Sequence, residues 1–154
     1  MATHALDALS AAGIAHRVVR HGEVRSVAEA AAAAGVEIRD VTKTIVVRRA
    51  ADDFVFVLVP GDRSISWPKL RAVLGVHRLS LPDAATAKDA TGYERGTITP
   101  FGATIAWPVV ADERVVGRTI RLGAGEPNAA VVLAADDALR VLDASVADVT
   151  EPAD

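Results

Sequence analysis

The chain has no cysteine among its 154 residues, which excludes disulfides, thiolate nucleophiles and cysteine-ligated zinc or iron–sulfur centres. That fits a reducing compartment. Aromatic residues are scarce at 4%, while the apolar fraction reaches 51% and much of it is alanine. Few large side chains are left to organise an interior: Phe54, Phe56, Trp67, Tyr93, Phe101 and Trp107. Long apolar runs are missing too. None approaches the roughly 20 residues of a membrane helix, and the N-terminus lacks the basic and apolar regions of a secretion signal. The expectation is a cytoplasmic protein with one domain over 1–154, long enough to bury a substantial core.

The usual marks of a catalytic or cofactor site are also absent. His4, His16, His21 and His77 lack the spacing of metal ligands, so no metal site is assigned and no cofactor is expected. There is no Gly-x-Ser-x-Gly elbow, no P-loop and no dinucleotide fingerprint. The acidic pairs Asp52-Asp53, Asp112-Glu113 and Asp136-Asp137 fall at turns or a helix start, where carboxylates solvate or cap rather than catalyse.

Net charge is −3, which argues against a general nucleic-acid coat, but the charge is unevenly spread. Residues 61–95 carry 6 Lys/Arg against 4 Asp/Glu, whereas residues 96–154 carry 4 against 9. Arg63, Lys69, Arg71, Arg78, Lys88 and Arg95 could therefore form a local phosphate-binding patch. A mixed, solvated surface is the competing reading.

Apolar spacing predicts a helix over His4 to Ala12, and a strand over Ala15 to His21. A second helix runs from a capping box at Ser26 and Glu29 to a stop at Gly35. Val41 to Arg49 and Phe54 to Pro60 read as a hairpin, the second strand apolar on both faces. Ser66 to Gly75 is a short capped helix with Pro68 in its first turn. A short strand at Val76 to Leu79 and a helix from Ala84 to Ala90 follow. Ala103 to Val110, Val115 to Leu122 and Ala129 to Ala134 read as strands, then a capped helix from Asp136 to Leu142 and a final short strand or tail. Strands and helices interleave irregularly, which points to an α+β fold with a mixed sheet flanked by helices, curled towards a barrel.

Two stretches stand out. Period-two counting puts Lys43 on the same strand face as Val41, Ile45 and Val47. An inward lysine costs free energy unless its ammonium reaches water, an anion or a ligand. The second stretch is Thr91-Gly92-Tyr93-Glu94-Arg95-Gly96-Thr97-Ile98-Thr99-Pro100-Phe101-Gly102. Its glycines and proline suit a structured loop that either only redirects the chain or holds free backbone donors around a carbonyl or phosphate.

Together, the strand Val41-Thr42-Lys43-Thr44-Ile45-Val46-Val47 and this Gly-Tyr-x-x-Gly-x-x-x-Pro-x-Gly loop resemble the YbaK/ProX family of aminoacyl-tRNA deacylases, relatives of the prolyl-tRNA synthetase editing domain. The likeness extends over nearly the whole chain. It implies a barrel-like mixed sheet with helices, and hydrolysis of the ester that joins a wrong amino acid to the terminal ribose of tRNA. It also implies Lys43, Gly96, Thr97, Pro100 and Gly102 as catalytic positions. The aminoacyl end would lie against His21, Phe101, Gly123, Gly125 and Asn128, and the tRNA against Lys69, Arg71 and Arg95. Water would attack, assisted by the substrate's own groups, with backbone donors stabilising the oxyanion. Partners would be mischarged tRNA, tRNA-Pro foremost, and prolyl-tRNA synthetase. Where many relatives have a Ser-Gly-Gly-x-Arg-Gly segment, this chain has Gly123-Ala124-Gly125-Glu126-Pro127-Asn128, and a tyrosine that some relatives carry near Arg20 and His21 is absent. These departures leave the amino acid open among cysteine, alanine, serine and threonine. The competing function is a non-catalytic module that binds tRNA ends or a synthetase.

Overall fold

A computed structural model describes residues 4–153. It contains α1 (His4–Ala11), β1 (His16–Arg20), α2 (Val27–Ala34), β2 (Thr42–Ala50), β3 (Asp53–Pro60), β4 (Arg63–Ile65), α3 (Trp67–Leu74) and α4 (Ala84–Thr91). After the loop come β5 (Val109–Asp112), β6 (Thr119–Gly123), β7 (Ala129–Ala134), α5 (Ala135–Val141), β8 (Ser145–Ala147) and β9 (Thr150–Pro152). No helix among the described residues is long and apolar enough to cross a membrane.

The architecture is mixed α+β. The strands form an antiparallel sheet β1-β7-β6, a mixed sheet β2-β3-β5-β8 and a two-stranded ladder β4-β9. They do not close into a barrel, which corrects that part of the expectation. The hairpin pairs Lys43 with Val59 and Ile45 with Val57, and β3 then pairs in parallel with β5. Because β3 is sandwiched, its alternate residues feed two cores. Phe54, Phe56 and Leu58 join Ile120, Leu122 and Val131 on one side, while Val55, Val57 and Val59 meet Ile65 and Leu70 on the other.

β2 is the outer strand of its sheet, and its outer edge is closed only at the ends. Val41 bridges Arg121 in parallel, which joins the two larger sheets. At the other end Arg48 and Ser80 exchange backbone hydrogen bonds of 2.8 and 3.1 Å. Between these bridges the edge is open.

Several local expectations are met by different means. Ser26 caps α2 by accepting the Glu29 N–H, and Gly35 ends that helix in the left-handed region. Ser66 precedes α3 but caps nothing with its hydroxyl; it is buried and donates its N–H to the Val149 carbonyl at 2.9 Å. α5 begins at Ala135 without a side-chain cap. Val76 to Leu79 is not a strand, because the Val76 N–H closes the end of α3 on the Arg71 carbonyl. Ala103 to Val110 becomes a strand only at Val109. Before it, Thr104 Oγ1 and Trp107 Nε1 both donate to the Ala90 carbonyl and fold the chain back onto α4. Val115 to Leu122 divides into a 3₁₀ turn at Glu113–Val115 and the later strand β6.

Candidate active site

A cleft of about 420 Å³ opens at the unpaired edge of β2. Thr42 to Val46 form its floor, Arg95, Gly96 and Ile98 one wall, Arg121 and Gly123 another, and Pro82 and Ala84 the rim at the start of α4. The lysine strand and the glycine loop therefore meet in one cavity. Lys43 is half-buried, on the strand face that carries Ile45 and Val47 towards Trp67 and Leu70. Its ammonium donates to the Arg63 carbonyl at 2.7 Å. Burial lowers its proton affinity, and the nearby Asp62 carboxylate offsets this only in part.

The loop divides along its length. Thr91 Oγ1 donates to the Ala87 carbonyl and accepts the Tyr93 N–H, which anchors the first residues to the end of α4. Arg95, Gly96 and Ile98 then line the cleft. Thr97 alternates away: it is buried, and its hydroxyl donates to the Glu94 carbonyl at 2.7 Å. Pro100 and Phe101 are buried as well. The Tyr93 hydroxyl donates to the Phe101 carbonyl at 2.6 Å, and burial pushes its pKa up to about 12, so it stays a donor. Gly102, at φ +71°, packs on α1 so closely that a Cβ there would lie 2.4 Å from the His4 carbonyl oxygen. Thr97, Pro100, Phe101 and Gly102 are thus not among the residues lining the cleft.

The second glycine segment backs the loop. A Cβ on Gly123 would sit 3.2 Å from the Thr97 and Ile98 carbonyl oxygens, and one on Gly125 would strike the Tyr93 ring at 2.5 Å. The Gly125 N–H also donates to the Thr97 carbonyl at 2.9 Å. Of this segment only Gly123 lines the cleft. Asn128 occupies the turn before β7, and its carbonyl accepts the His21 N–H at 3.0 Å. The His21 ring bonds the Gly22 carbonyl through Nδ1, leaving Nε2 buried without a partner, outside the cleft lining.

Residues 21–141 match the family model of the aminoacyl-tRNA editing domain. The chain belongs to that family. The editing domain is 38% identical over 80 residues to a proline–tRNA ligase of Thermosipho africanus, covering 52% of this chain and 14% of that protein. It is 33% identical over 98 residues to the enzyme of Thermosipho melanesiensis, covering 64% of this chain and 17% of the ligase. The chain thus spans less than a fifth of these ligases. Among solved structures, it superposes with a TM-score of 0.87 and 26% identity on a protein described as a candidate trans-editing enzyme for prolyl tRNA synthetase, covering 94% of this chain and 93% of that one. The hypothetical protein APE2540 is similar at a TM-score of 0.86 and 28% identity, with 94% and 97% covered.

The editing domain's cations have separate placements. Lys69 donates to Asp148 at 2.9 Å and to the Thr150 carbonyl at 3.0 Å, so its ammonium fastens β9 to α3. Asp148, held by Lys69 and also by Arg114, has its pKa lowered to about 2. Arg71 lies in a separate groove of about 540 Å³ with Arg48, Arg49, His77 and Arg78. Arg95 is in the main cleft. There it is joined by Arg121, which the sequence reading did not single out. Arginine between Ile120 and Leu122 looks like the solvent face of a strand. The signal was its offset of two from Gly123, which sets both residues on one face. Burial lowers the Arg121 pKa, although a guanidinium stays charged.

The cleft lining contains Lys43, Arg95 and Arg121 but no aspartate, glutamate or histidine. Among the described residues no His, Asp and Glu cluster could hold a metal. Such a cavity has neither a carboxylate nor an imidazole base. It can bind an anion, orient an ester and stabilise negative charge through backbone donors and cations.

Proposed function

We propose that this editing domain acts in trans on mischarged tRNA, with tRNA-Pro as substrate and prolyl-tRNA synthetase as the enzyme whose errors it corrects. The observation that carries the reading is the meeting of Lys43 and the Gly96 loop in a cationic cleft that lacks a base. The likeness to proline–tRNA ligases and to the trans-editing protein supports the choice of tRNA. An aminoacyl ester is already activated, so positioning and charge stabilisation suffice. Water adds to the carbonyl carbon, and backbone N–H groups around Gly96 hold the oxyanion. The bond to the ribose oxygen then breaks, and the water's protons pass to that oxygen and to solvent. Lys43 fixes the floor and contributes positive charge, while Arg95 holds the incoming strand. Editing of this kind answers a limit of synthetase pockets, which discriminate only weakly against a smaller or near-isosteric amino acid.

A panel of tRNAs mischarged with alanine, cysteine, serine and threonine tests this. The wild-type protein should accelerate ester loss from at least one, and Lys43→Met should slow it about 100-fold, the scale of losing one stabilising group at a developing charge. Absence of Lys43-dependent hydrolysis on every tRNA would remove the deacylase reading. The groove carrying Arg48, Arg71 and Arg78 favours the second reading, a module that binds the tRNA end without turnover. Binding without ester loss in the same panel would establish it instead.

A further inference from the structure

Buried polar atoms in folded proteins almost always find a partner, and those that do not point to a missing one. Among the described residues three such side-chain atoms have none: His21 Nε2, Thr44 Oγ1 and Arg121 Nε. Two of the three, Thr44 and Arg121, line the cleft. No hydrogen bond or ion pair engages the Arg121 side chain among the described residues. Its strand neighbours are apolar, Val132 across the ladder and Val41 at the bridge. Arg114 shows the ordinary arrangement, with its guanidinium on both Asp112 and Asp148. Lys43 is different again, since its ammonium already donates to the Arg63 carbonyl and keeps two further N–H donors for the cleft. Arg121 is therefore the half-buried cation of the cleft that has nothing to hold.

Its orientation follows from register. Gly123, two residues on and on the same face, abuts the Thr97 and Ile98 carbonyls, so Arg121 faces the loop side of the cavity. A planar guanidinium matches two oxygens of one anion, and a hydroxyl such as that of Thr44 can donate to a third. The substrate chemistry limits which anion this can be. In an aminoacyl ester the amino acid's carboxylate is consumed in the bond, and its amino group is cationic. The anion next to the ester is the phosphate on the 5′ side of the terminal nucleoside.

Resting on the deacylase reading, we propose that Arg121, with Thr44, is the binding site for that terminal phosphate. The test uses an acceptor-stem RNA charged with the amino acid that the wild-type protein removes fastest, made with its last internucleotide linkage either as phosphate or as uncharged methylphosphonate. The wild type should prefer the charged linkage by about 10- to 100-fold in kcat/KM, the scale of a hydrogen-bonded charge. Arg121→Ala should be slow and indifferent to the linkage, and Arg121→Lys should regain part of the preference. Because Arg121 holds no partner, the thermal midpoint of Arg121→Ala should not fall. Retention of the full preference by Arg121→Ala, or no preference in the wild type, overturns the assignment alone. A lowered midpoint with equal loss on both RNAs makes Arg121 structural and also overturns it. A wild type inert on the phosphate-linked RNA overturns the deacylase reading and this proposal with it.

Discussion

Arg95, Gly96 and Ile98 offer a guanidinium, bare backbone and an apolar edge to the cleft, whereas Thr99 to Gly102, a few residues on, pack into the core and against α1. The two halves of one loop are satisfied to different degrees. In the packed half Tyr93 Oη closes on the Phe101 carbonyl, and Gly102 touches the His4 backbone. In the cleft half Gly96 has open space where a side chain would stand. Core packing and cleft lining are thus separated within a dozen residues, and substitutions along the loop should separate their effects experimentally.

The largest effect is expected at Gly102. A methyl group there meets the His4 carbonyl oxygen at 2.4 Å, at a φ of +71° that a side chain resists. Gly102→Ala should cost about 3 kcal/mol from overpacking and backbone strain together. Urea denaturation measures it, and an unchanged midpoint would mean that α1 does not depend on this contact. Tyr93→Phe removes one buried donor and leaves the Phe101 carbonyl without it, an expected loss of about 1–2 kcal/mol. Deacylation should survive, because Tyr93 does not line the cleft; a rate that fell with stability held would blur the division. The smallest change in stability belongs to Gly96→Ala, about 1 kcal/mol for a left-handed backbone without a clash. Its kcat/KM should nonetheless drop at least about tenfold, since shifted backbone donors misplace the ester. Normal kcat/KM in that variant would place the oxyanion donors elsewhere.

Much of this arrangement was legible in the sequence. The alternation around Lys43 gave its strand face correctly, and the β2–β3 hairpin and the doubly covered β3 followed from the β-branched runs. The loop's glycines marked a constrained backbone, but composition could not say which of them face the cleft. Gly102 and Gly125 are required by α1 and by the Tyr93 ring, contacts that only the folded chain creates. Lys69 looked like part of a phosphate patch because its partners, Asp148 and Thr150, lie some eighty positions away. Arg121 was hidden by the reverse effect: what distinguishes it is the absence of a partner, and a sequence cannot display that. The 3-residue strands β4 and β9 stabilise each other and carry too little pattern to be read alone.

The outer edge of β2, paired at Val41 and again at Arg48, has a further consequence. An unpaired strand edge invites another chain to add itself, and proteins usually block such edges with charge, bulges or cover. Here the gap is only as long as the cleft floor, from Thr42 to Val46, and it is walled by the Gly96 loop and the start of α4. A second β-strand would have to displace those walls to pair there. The walls that enclose the cleft therefore also guard the sheet edge against another chain, and loosening the loop would endanger solubility.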